Sequence, residues 1–206
     1  MSDVTNNILL IGRAGGESEY SHSVFGEAFF SLPFSVRRLS GTEDRLNITV
    51  SERLLGDAPV SEGLGFRISG QIRSYNKRTE TSSRLLITVF AREFVPLSEE
   101  DAPPDVNEAE LTGYICKPPV YRTTPFSREI ADMLLAVNRR FGKSDYLPCI
   151  AWGRNARYLA DLPVGTNLHV IGRLQSREYK KQFADGTEQL RTAYEISCSA
   201  VEKIGL

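Results

Sequence analysis

The stretch Gly70-Gln71-Ile72-Arg73-Ser74 returns, 102 residues later, as Gly172-Arg173-Leu174-Gln175-Ser176. Two further segments repeat at an offset of 101 residues: Val36-Arg37-Arg38 matches Val137-Asn138-Arg139-Arg140, and Asp44-Arg45-Leu46 matches Asp145-Tyr146-Leu147. An offset of this size indicates a duplicated domain, because solenoid repeats have periods of roughly 20–50 residues. The sequence therefore predicts two copies of one fold, which can be compared position by position.

The composition is that of an ordinary globular protein. Hydrophobic residues make up 41% of the 206 residues and charged residues 25%. No apolar run approaches the roughly 20 residues of a membrane span, and the N-terminus lacks the basic start of a signal peptide. The three cysteines, Cys116, Cys149 and Cys198, are widely spaced, which favours buried thiols over disulfides or a metal site. We therefore expect a cytoplasmic protein with no membrane segment.

The charge is distributed unevenly between the two copies. The net charge of the chain is −1, yet residues 109–183 carry 12 basic and 6 acidic side chains. The second copy thus has a basic body between acidic ends, which favours attraction of a polyanion. A mixed solvated surface with no special role is the alternative interpretation of the charges alone.

Hydrophobic patterning in the second copy predicts strands at 111–116, 130–137, 146–152, 167–179 and 190–204, with a short helix starting near Asn155. Three strands, a helix and two strands form the OB-fold, a five-stranded Greek-key barrel that commonly binds oligonucleotides. The first copy follows the same order. The predicted fold class is therefore all-β, with two tandem OB-fold barrels and one short helix in each. The acidic, proline-containing segment 97–109 predicts a linker between a first domain at 1–96 and a second at 110–206.

The third predicted strand of the second copy is apolar on both faces. Side chains alternate along a strand, so Leu147, Cys149 and Ala151 point one way, while Tyr146, Ile150 and Trp152 point the other way. The corresponding strand of the first copy has polar residues on that second face. We therefore predict that the second copy presents an apolar, aromatic outer face, which requires an explanation.

Aromatic and basic residues are interleaved on this face of the second copy. The aromatic candidates are Phe141, Tyr146, Trp152 and Tyr179, and the basic candidates are Arg139, Arg140, Lys143, Arg173, Arg177, Lys180 and Lys181. Aromatic rings stack on unpaired bases for about 1–3 kcal/mol each, and cations follow the phosphates. The pattern predicts a single-stranded nucleic-acid site, because a duplex keeps its base faces stacked inside. Packing of these rings against a neighbouring subunit or under a loop is the alternative.

The second copy resembles the bacterial single-stranded DNA-binding protein family. The resemblance runs through Glu110 to Arg140, through Tyr146 to Gly153 (YLPCIAWG) and through Gly165 to Tyr179 (GTNLHVIGRLQSREY). It implies sequence-independent binding and protection of single-stranded DNA in replication, recombination or repair, by a nucleoid-associated protein. The family stacks DNA on aromatic residues at four positions, and by position these correspond to Phe141, Tyr146, Trp152 and Tyr179.

The first copy matches that family weakly. Its residues at the four aromatic positions are about Ser40, Arg45, Ser51 and Lys77, although it keeps Arg73, Tyr75 and Lys77 as candidate nucleic-acid contacts on its fourth strand. Two barrels per chain resemble the family variant that reaches four barrels as a homodimer. The family usually ends in an acidic tail that recruits replication enzymes. The last predicted strand ends near Ile204, which argues against recruitment through such a tail.

Catalysis has little support in the sequence. The two histidines are His22 and His169, and the second lies within a strand pattern where a structural role is favoured. Residues 12–16 (GRAGG) lack the ending of a phosphate-binding loop, and no metal-spaced cluster is present. We therefore expect no cofactor, no metal and no enzymatic activity. The alternative function is a structural or adaptor protein of replication or of a mobile element, whose barrels dock another protein.

Overall fold

The structure of the chain is a computed structural model that describes residues 5–56, 60–78, 83–98, 103–182 and 186–205. The first half contains β1 (Asn6–Ala14), β2 (Glu19–Val24), β3 (Glu27–Arg37), β4 (Glu43–Ser51), α1 (Glu52–Leu55), β5 (Gly65–Arg78) and β6 (Ser83–Pro96). The second half contains β7 (Val106–Ile115), β8 (Val120–Thr123), β9 (Glu129–Asn138), β10 (Ser144–Trp152), α2 (Arg154–Ala160), β11 (Asn167–Gln182) and β12 (Glu188–Lys203). The duplication predicted from the sequence is thus visible element by element.

Each half closes into an OB-fold barrel, as predicted. In the first half β4 pairs with β6 in parallel, and β1 pairs with both β3 and β5. In the second half β10 pairs with β12 in parallel, and β7 pairs with both β9 and β11. The fold class of two tandem OB-fold barrels with one short helix each is confirmed.

Two strands were not predicted. In each half a short strand, β2 or β8, forms a hairpin with the strand that follows it. Every residue of β2 and β8 is exposed, so these strands have no buried face to produce hydrophobic alternation. The predicted five strands per barrel are therefore six in the described part of each half. The extra hairpin leaves the barrel closure unchanged.

The repeated glycines lie where two strands approach closely. The ladder between the last two strands of each barrel shifts register at Gly70 and at Gly172. A Cβ atom at either position would lie 2.3 Å from a backbone oxygen, that of Phe90 or that of Ser197. No side chain fits there without moving the backbone, which explains why glycine occupies both positions of the duplication.

The predicted alternation on β10 is correct for the core. Leu147, Cys149 and Ala151 are buried, and Tyr146 and Trp152 are exposed on the opposite face. Ile150 differs from expectation, because it is buried although it lies on the outer face. It lines the floor of a groove between neighbouring strands, so its side chain contacts protein and not bulk water.

A pairing between β1 and β7 joins the two barrels. The strands are antiparallel, with Asn6 opposite Leu111 and Ile11 opposite Val106. Residues 106–109, assigned to the linker from the sequence, therefore belong to the first strand of the second barrel. Their composition is that of a linker, but their backbone groups are needed for this pairing. Among the described helices, none is long and apolar enough to cross a membrane.

A buried carboxylate from the second barrel forms further contacts at this junction. Asp145 is fully buried and accepts hydrogen bonds from Nε of Arg139 at 2.5 Å and from Nη1 of Arg73 at 3.1 Å. The backbone N–H of Ser74 in the first barrel donates to the same carboxylate at 2.6 Å. In return, the Ser74 hydroxyl oxygen accepts from the backbone N–H of Tyr146 at 2.7 Å.

The equivalent carboxylate of the first barrel makes the same kind of contacts with the second barrel. Asp44 of the first barrel is fully buried, binds Arg38 through Nε at 2.8 Å and accepts from the backbone N–H of Ser176 at 3.0 Å. The Ser176 hydroxyl oxygen accepts from the backbone N–H of Arg45 at 2.8 Å. The junction is therefore pseudo-symmetric, and each barrel inserts one carboxylate against the fourth long strand of the other.

Candidate nucleic-acid interface

A groove of about 650 Å³ lies on the outer face of the second barrel. Its walls come from β8 to β12, and the turn between β3 and β4 of the first barrel closes one side. The lining residues are Arg38, Thr42, Arg122, Arg128, Ile130, Asp132, Ile150, Trp152, Arg173, Gln175, Ser176, Arg177 and Glu195. Five arginines and two carboxylates face one another there, so we refer to this surface as the arginine groove.

Two of the predicted rings lie along β10 on the outer face of the barrel. Trp152, which lines the arginine groove, is 39% exposed, and Tyr146 is 47% exposed. The two residues are six positions apart, which corresponds to about 20 Å along a strand. Both rings are therefore partly accessible to a ligand.

The other two predicted rings lie outside the arginine groove, near the Tyr146 end of β10. Phe141 is 97% exposed at the turn between β9 and β10, where it adopts a left-handed φ of 65°. A bulky residue rarely occupies that region, and such positions are concentrated at functional sites. Tyr179 lies on β11, with the guanidinium carbon of Arg177 6.0 Å from its ring centroid.

The electrostatics of the arginine groove favour an anionic ligand. Burial and the neighbouring Arg38 both lower the pKa of Arg173 from its ordinary value. The Nε atom of Arg173 is also buried and has no hydrogen-bond partner in the described part of the chain. A partly buried cation that lies near another cation and keeps an unused donor is costly unless an anion completes the site.

The predicted cations differ in their surroundings. Arg139 and Arg73 both bind the buried Asp145, which gives them a role at the barrel junction. Lys180 pairs with Glu188 at 3.3 Å, whereas Arg140, Lys143 and Arg177 have no acidic partner among the residues described. Lys181 is exposed, as is Tyr75 of the first barrel. The side chain of Lys77 lies outside the described residues.

The cysteines form neither a disulfide nor a metal site in the described part of the structure. All three are free thiols, and no described group of three or more histidine, cysteine, aspartate or glutamate residues could hold a metal ion. A hydrogen bond with Cys198 and burial raise the pKa of Cys149 well above its ordinary value. This thiol is therefore protonated and inert at neutral pH.

A comparison with known proteins finds sequence relatives of the second half of the chain. The sequence model of the Single-strand binding protein family matches residues 106–204. The second barrel is therefore similar in sequence to this family. Single-stranded DNA-binding protein 1 of Staphylococcus aureus is 36% identical over 104 residues, which cover 47% of this chain and 60% of that protein. The Enterococcus faecalis Single-stranded DNA-binding protein is 34% identical over 84 residues, or 37% of this chain and 45% of that protein.

Both barrels share their fold with a solved structure. The wild-type single-stranded DNA binding protein from Thermus aquaticus superimposes with a TM-score of 0.78 over 98% of this chain and 93% of that chain, at 21% identity. The match covers the first barrel as well, although the family's sequence pattern lies only in the second. The duplication has therefore kept the fold in both halves and the family sequence in one.

Several residues of the groove were missed in the sequence analysis. Arg122 and Arg128 flank the β8–β9 turn, whose tip carries the exposed Phe126. Phe25 is exposed at the same turn of the first barrel, at an offset of 101 residues. This repeated phenylalanine is the feature of the sequence that could have indicated the turn. Arg38 could not be found this way, since it reaches the groove across the barrel junction.

Proposed function

We propose that this chain binds single-stranded DNA without sequence preference, as a non-catalytic protein of replication, recombination or repair. The names of its relatives and the residues of the arginine groove support this proposal. Such a protein would act in the cytoplasm, on the nucleoid. The observation that carries the proposal is Arg173, which lines the groove together with Arg38 and Trp152 and whose buried Nε has no hydrogen-bond partner among the described residues.

The proposed mode of binding combines stacking with phosphate contacts. Bases stack on Trp152 and Tyr146 along β10, and on Phe141 and Tyr179 beyond the Tyr146 end of this strand. Arginines of the groove contact the phosphates. Duplex DNA cannot use these rings because its base faces are stacked on one another. Rings accept any base, so no sequence preference is expected.

Titration with oligo-dT tests the proposal through the intrinsic fluorescence of Trp152, which is the single tryptophan of the chain. We expect quenching that saturates and weakens with salt, because log affinity falls by about 0.7 per phosphate contact per log unit of salt for single strands. A duplex of the same length should quench far less. Absent quenching, or binding that is insensitive to salt, would contradict the proposal and favour the protein-docking alternative.

We further propose that the chain forms a homodimer with four barrels. On the outer face of the sheet where β1, β7 and β11 lie side by side, a cavity of about 520 Å³ is lined by Leu9, Ala109 and Ile171 among other residues. Ile171 is exposed there, and His169 pairs with Glu110 at 2.8 Å on the same face. A second copy would cover this surface, in which the exposed Ile171 lies among polar and charged residues.

The variant Ile171→Glu is expected to convert the dimer to a monomer, because it places a charge in the centre of the proposed interface. Light scattering coupled to gel filtration gives the mass directly, against 23.0 kDa for one chain. Val164→Glu is the matched control, since Val164 is similarly exposed in the loop between α2 and β11. A monomeric unaltered protein, or a dimer that survives the substitution, would overturn this dimer.

A further inference from the structure

Two equivalent hairpins, one in each barrel, present an exposed strand edge. β2 and β8 are the first and last strands in the order of the described sheet, and each pairs with one described strand only, β3 or β9. The outer backbone N–H and C=O groups of an edge strand are available to a strand of another molecule. We refer to residues 16–27 as the β2 hairpin and to residues 117–128 as the β8 hairpin.

The two hairpins carry opposite charges. The β2 hairpin has three acidic residues and no lysine or arginine, and the β8 hairpin has three basic residues and no aspartate or glutamate. The acidic residues are Glu17, Glu19 and Glu27, and the basic residues are Lys117, Arg122 and Arg128. The segments are equivalent in the duplication, at an offset of 101 residues. The difference in charge is therefore a property of the sequence and not of the fold.

Most of these charges are available to an external partner. Four of them are exposed and form no ion pair within the described ranges, namely Glu17, Glu19, Lys117 and Arg128. Glu27 is half-buried, and its Oε1 atom has no hydrogen-bond partner among the described residues. Arg122 differs, because it binds Asp132 at 2.9 Å. An acidic edge and a basic edge attract each other, whereas two copies of the same edge repel each other.

Both hairpins also expose aromatic side chains. Tyr20 and Phe25 of the β2 hairpin are exposed, and so are the equivalent Tyr121 and Phe126 of the β8 hairpin. Phe25 and Phe126 lie at the turns of the hairpins, beyond the ends of β2 and β8. Aromatic residues beside arginine are enriched in protein–protein interfaces. Each hairpin thus offers apolar area next to a charge that the other hairpin complements.

We propose that the β2 hairpin of one copy binds the β8 hairpin of a second copy, edge to edge, so that chains associate head to tail. A contact between unlike surfaces leaves one hairpin of each partner unoccupied, and it generates a row or a ring of chains. The two edge strands are six and four residues long, so the interface is small and the association weak and reversible. The contact lies apart from the face around Ile171 and is independent of the proposed function.

Charge reversal on one hairpin at a time tests this contact without nucleic acid, because Arg122 and Arg128 also line the arginine groove. The variant Glu17→Lys/Glu19→Lys has a net positive charge on both hairpins, and Lys117→Glu/Arg128→Glu has a net negative charge on both. We expect either variant alone to associate about tenfold more weakly than the unaltered protein, since attractive pairs become like-charge contacts. Sedimentation velocity at low salt, over a range of protein concentrations, measures the association.

A mixture of the two hairpin variants is the decisive sample, because each positive hairpin then meets a negative one. We expect the mixture to regain the association of the unaltered protein. Both should lose it in about 1 M salt, where the screening length falls to about 3 Å. The face around Ile171 is the same in every sample, so a dimer formed there does not change the comparison.

A second pair of variants controls for net charge. Glu62→Lys/Asp161→Lys and Arg84→Glu/Arg92→Glu make the same changes in net charge at exposed positions outside both hairpins. Each should associate like the unaltered protein, and mixing them should add nothing. The proposal fails if the unaltered protein associates no more than either hairpin variant, or if the hairpin mixture gains nothing over its components. It fails equally if the control mixture gains as much as the hairpin mixture.

Discussion

Replacing Trp152 by alanine is expected to weaken the binding of oligo-dT by about 5- to 150-fold, which corresponds to about 1–3 kcal/mol for one stacked base. The ring lies in the arginine groove on the outer face of β10, so its loss removes a stacking platform without opening the core. Because the variant lacks the fluorophore, affinity is measured by anisotropy of a labelled oligonucleotide. The melting temperature should remain within a few degrees of that of the unaltered protein, since surface substitutions usually cost little.

Tyr158→Ala provides the control for this experiment. Tyr158 is an aromatic residue of nearly the same exposure, 41% against 39% for Trp152, and it lies on α2 outside the arginine groove. Its removal should leave the affinity unchanged. Equal affinities for the Trp152 and Tyr158 variants would show that the groove does not stack bases. A large loss of stability in Trp152→Ala would instead mean that this ring is structural.

The barrels and the outer face of β10 could be predicted from the sequence because both rest on local signals. The period of two along β10 separates Leu147 from Tyr146, and the order of the elements is repeated in the two copies. Gly70 and Gly172 mark the same close approach in each barrel. The β8 strand gave no such signal, because all its residues are exposed, and Arg122 was missed with it.

The repeated segments turn out to form the barrel junction. Arg38 and Arg139, Asp44 and Asp145, and Ser74 and Ser176 are equivalent pairs. The aspartates and serines contact each other across the two barrels, and each arginine binds the aspartate of its own barrel. Arg139 was predicted as a DNA contact because it lies in a basic stretch. Its counterpart Arg38 binds the buried Asp44 in the same way. The residues that the two copies share therefore mark the barrel junction. The positions at which the two copies differ mark the candidate DNA site. At one of them the second copy has Trp152 and the first copy has Ser51.

These junction contacts could not be predicted from one sequence. The hydrogen bond between Ser176 and Asp44 joins residues 132 positions apart, and it depends on the pairing of β1 with β7. That pairing uses residues 106–109, whose acidic and proline-flanked composition indicates a linker. Periodicity reports which side of a strand is buried, but it does not report which other strand covers it. For the same reason, the sequence could not predict that Arg38 of the first barrel lines the arginine groove.

Replacing Asp145 by alanine is expected to destabilise the protein by about 3–5 kcal/mol, the cost of removing one partner from a buried ion pair. The substitution leaves Arg139 and Arg73 facing each other without a counter-charge, and it leaves the backbone N–H of Ser74 without its acceptor. Unfolding in urea, followed by circular dichroism, measures the free energy. Glu43→Ala is the control, because Glu43 pairs with Arg37 on the exposed surface, where a pair contributes about 0–1 kcal/mol.

The variant Asp145→Asn separates charge from hydrogen bonding at the same site. Asparagine keeps an oxygen that can accept from the Ser74 N–H, so its loss of stability should fall between those of Glu43→Ala and Asp145→Ala. DNA binding should weaken in both Asp145 variants, because Ser74 also holds the backbone N–H of Tyr146, next to the proposed stacking ring. If Asp145→Ala cost no more than Glu43→Ala, these contacts would not hold the two barrels together.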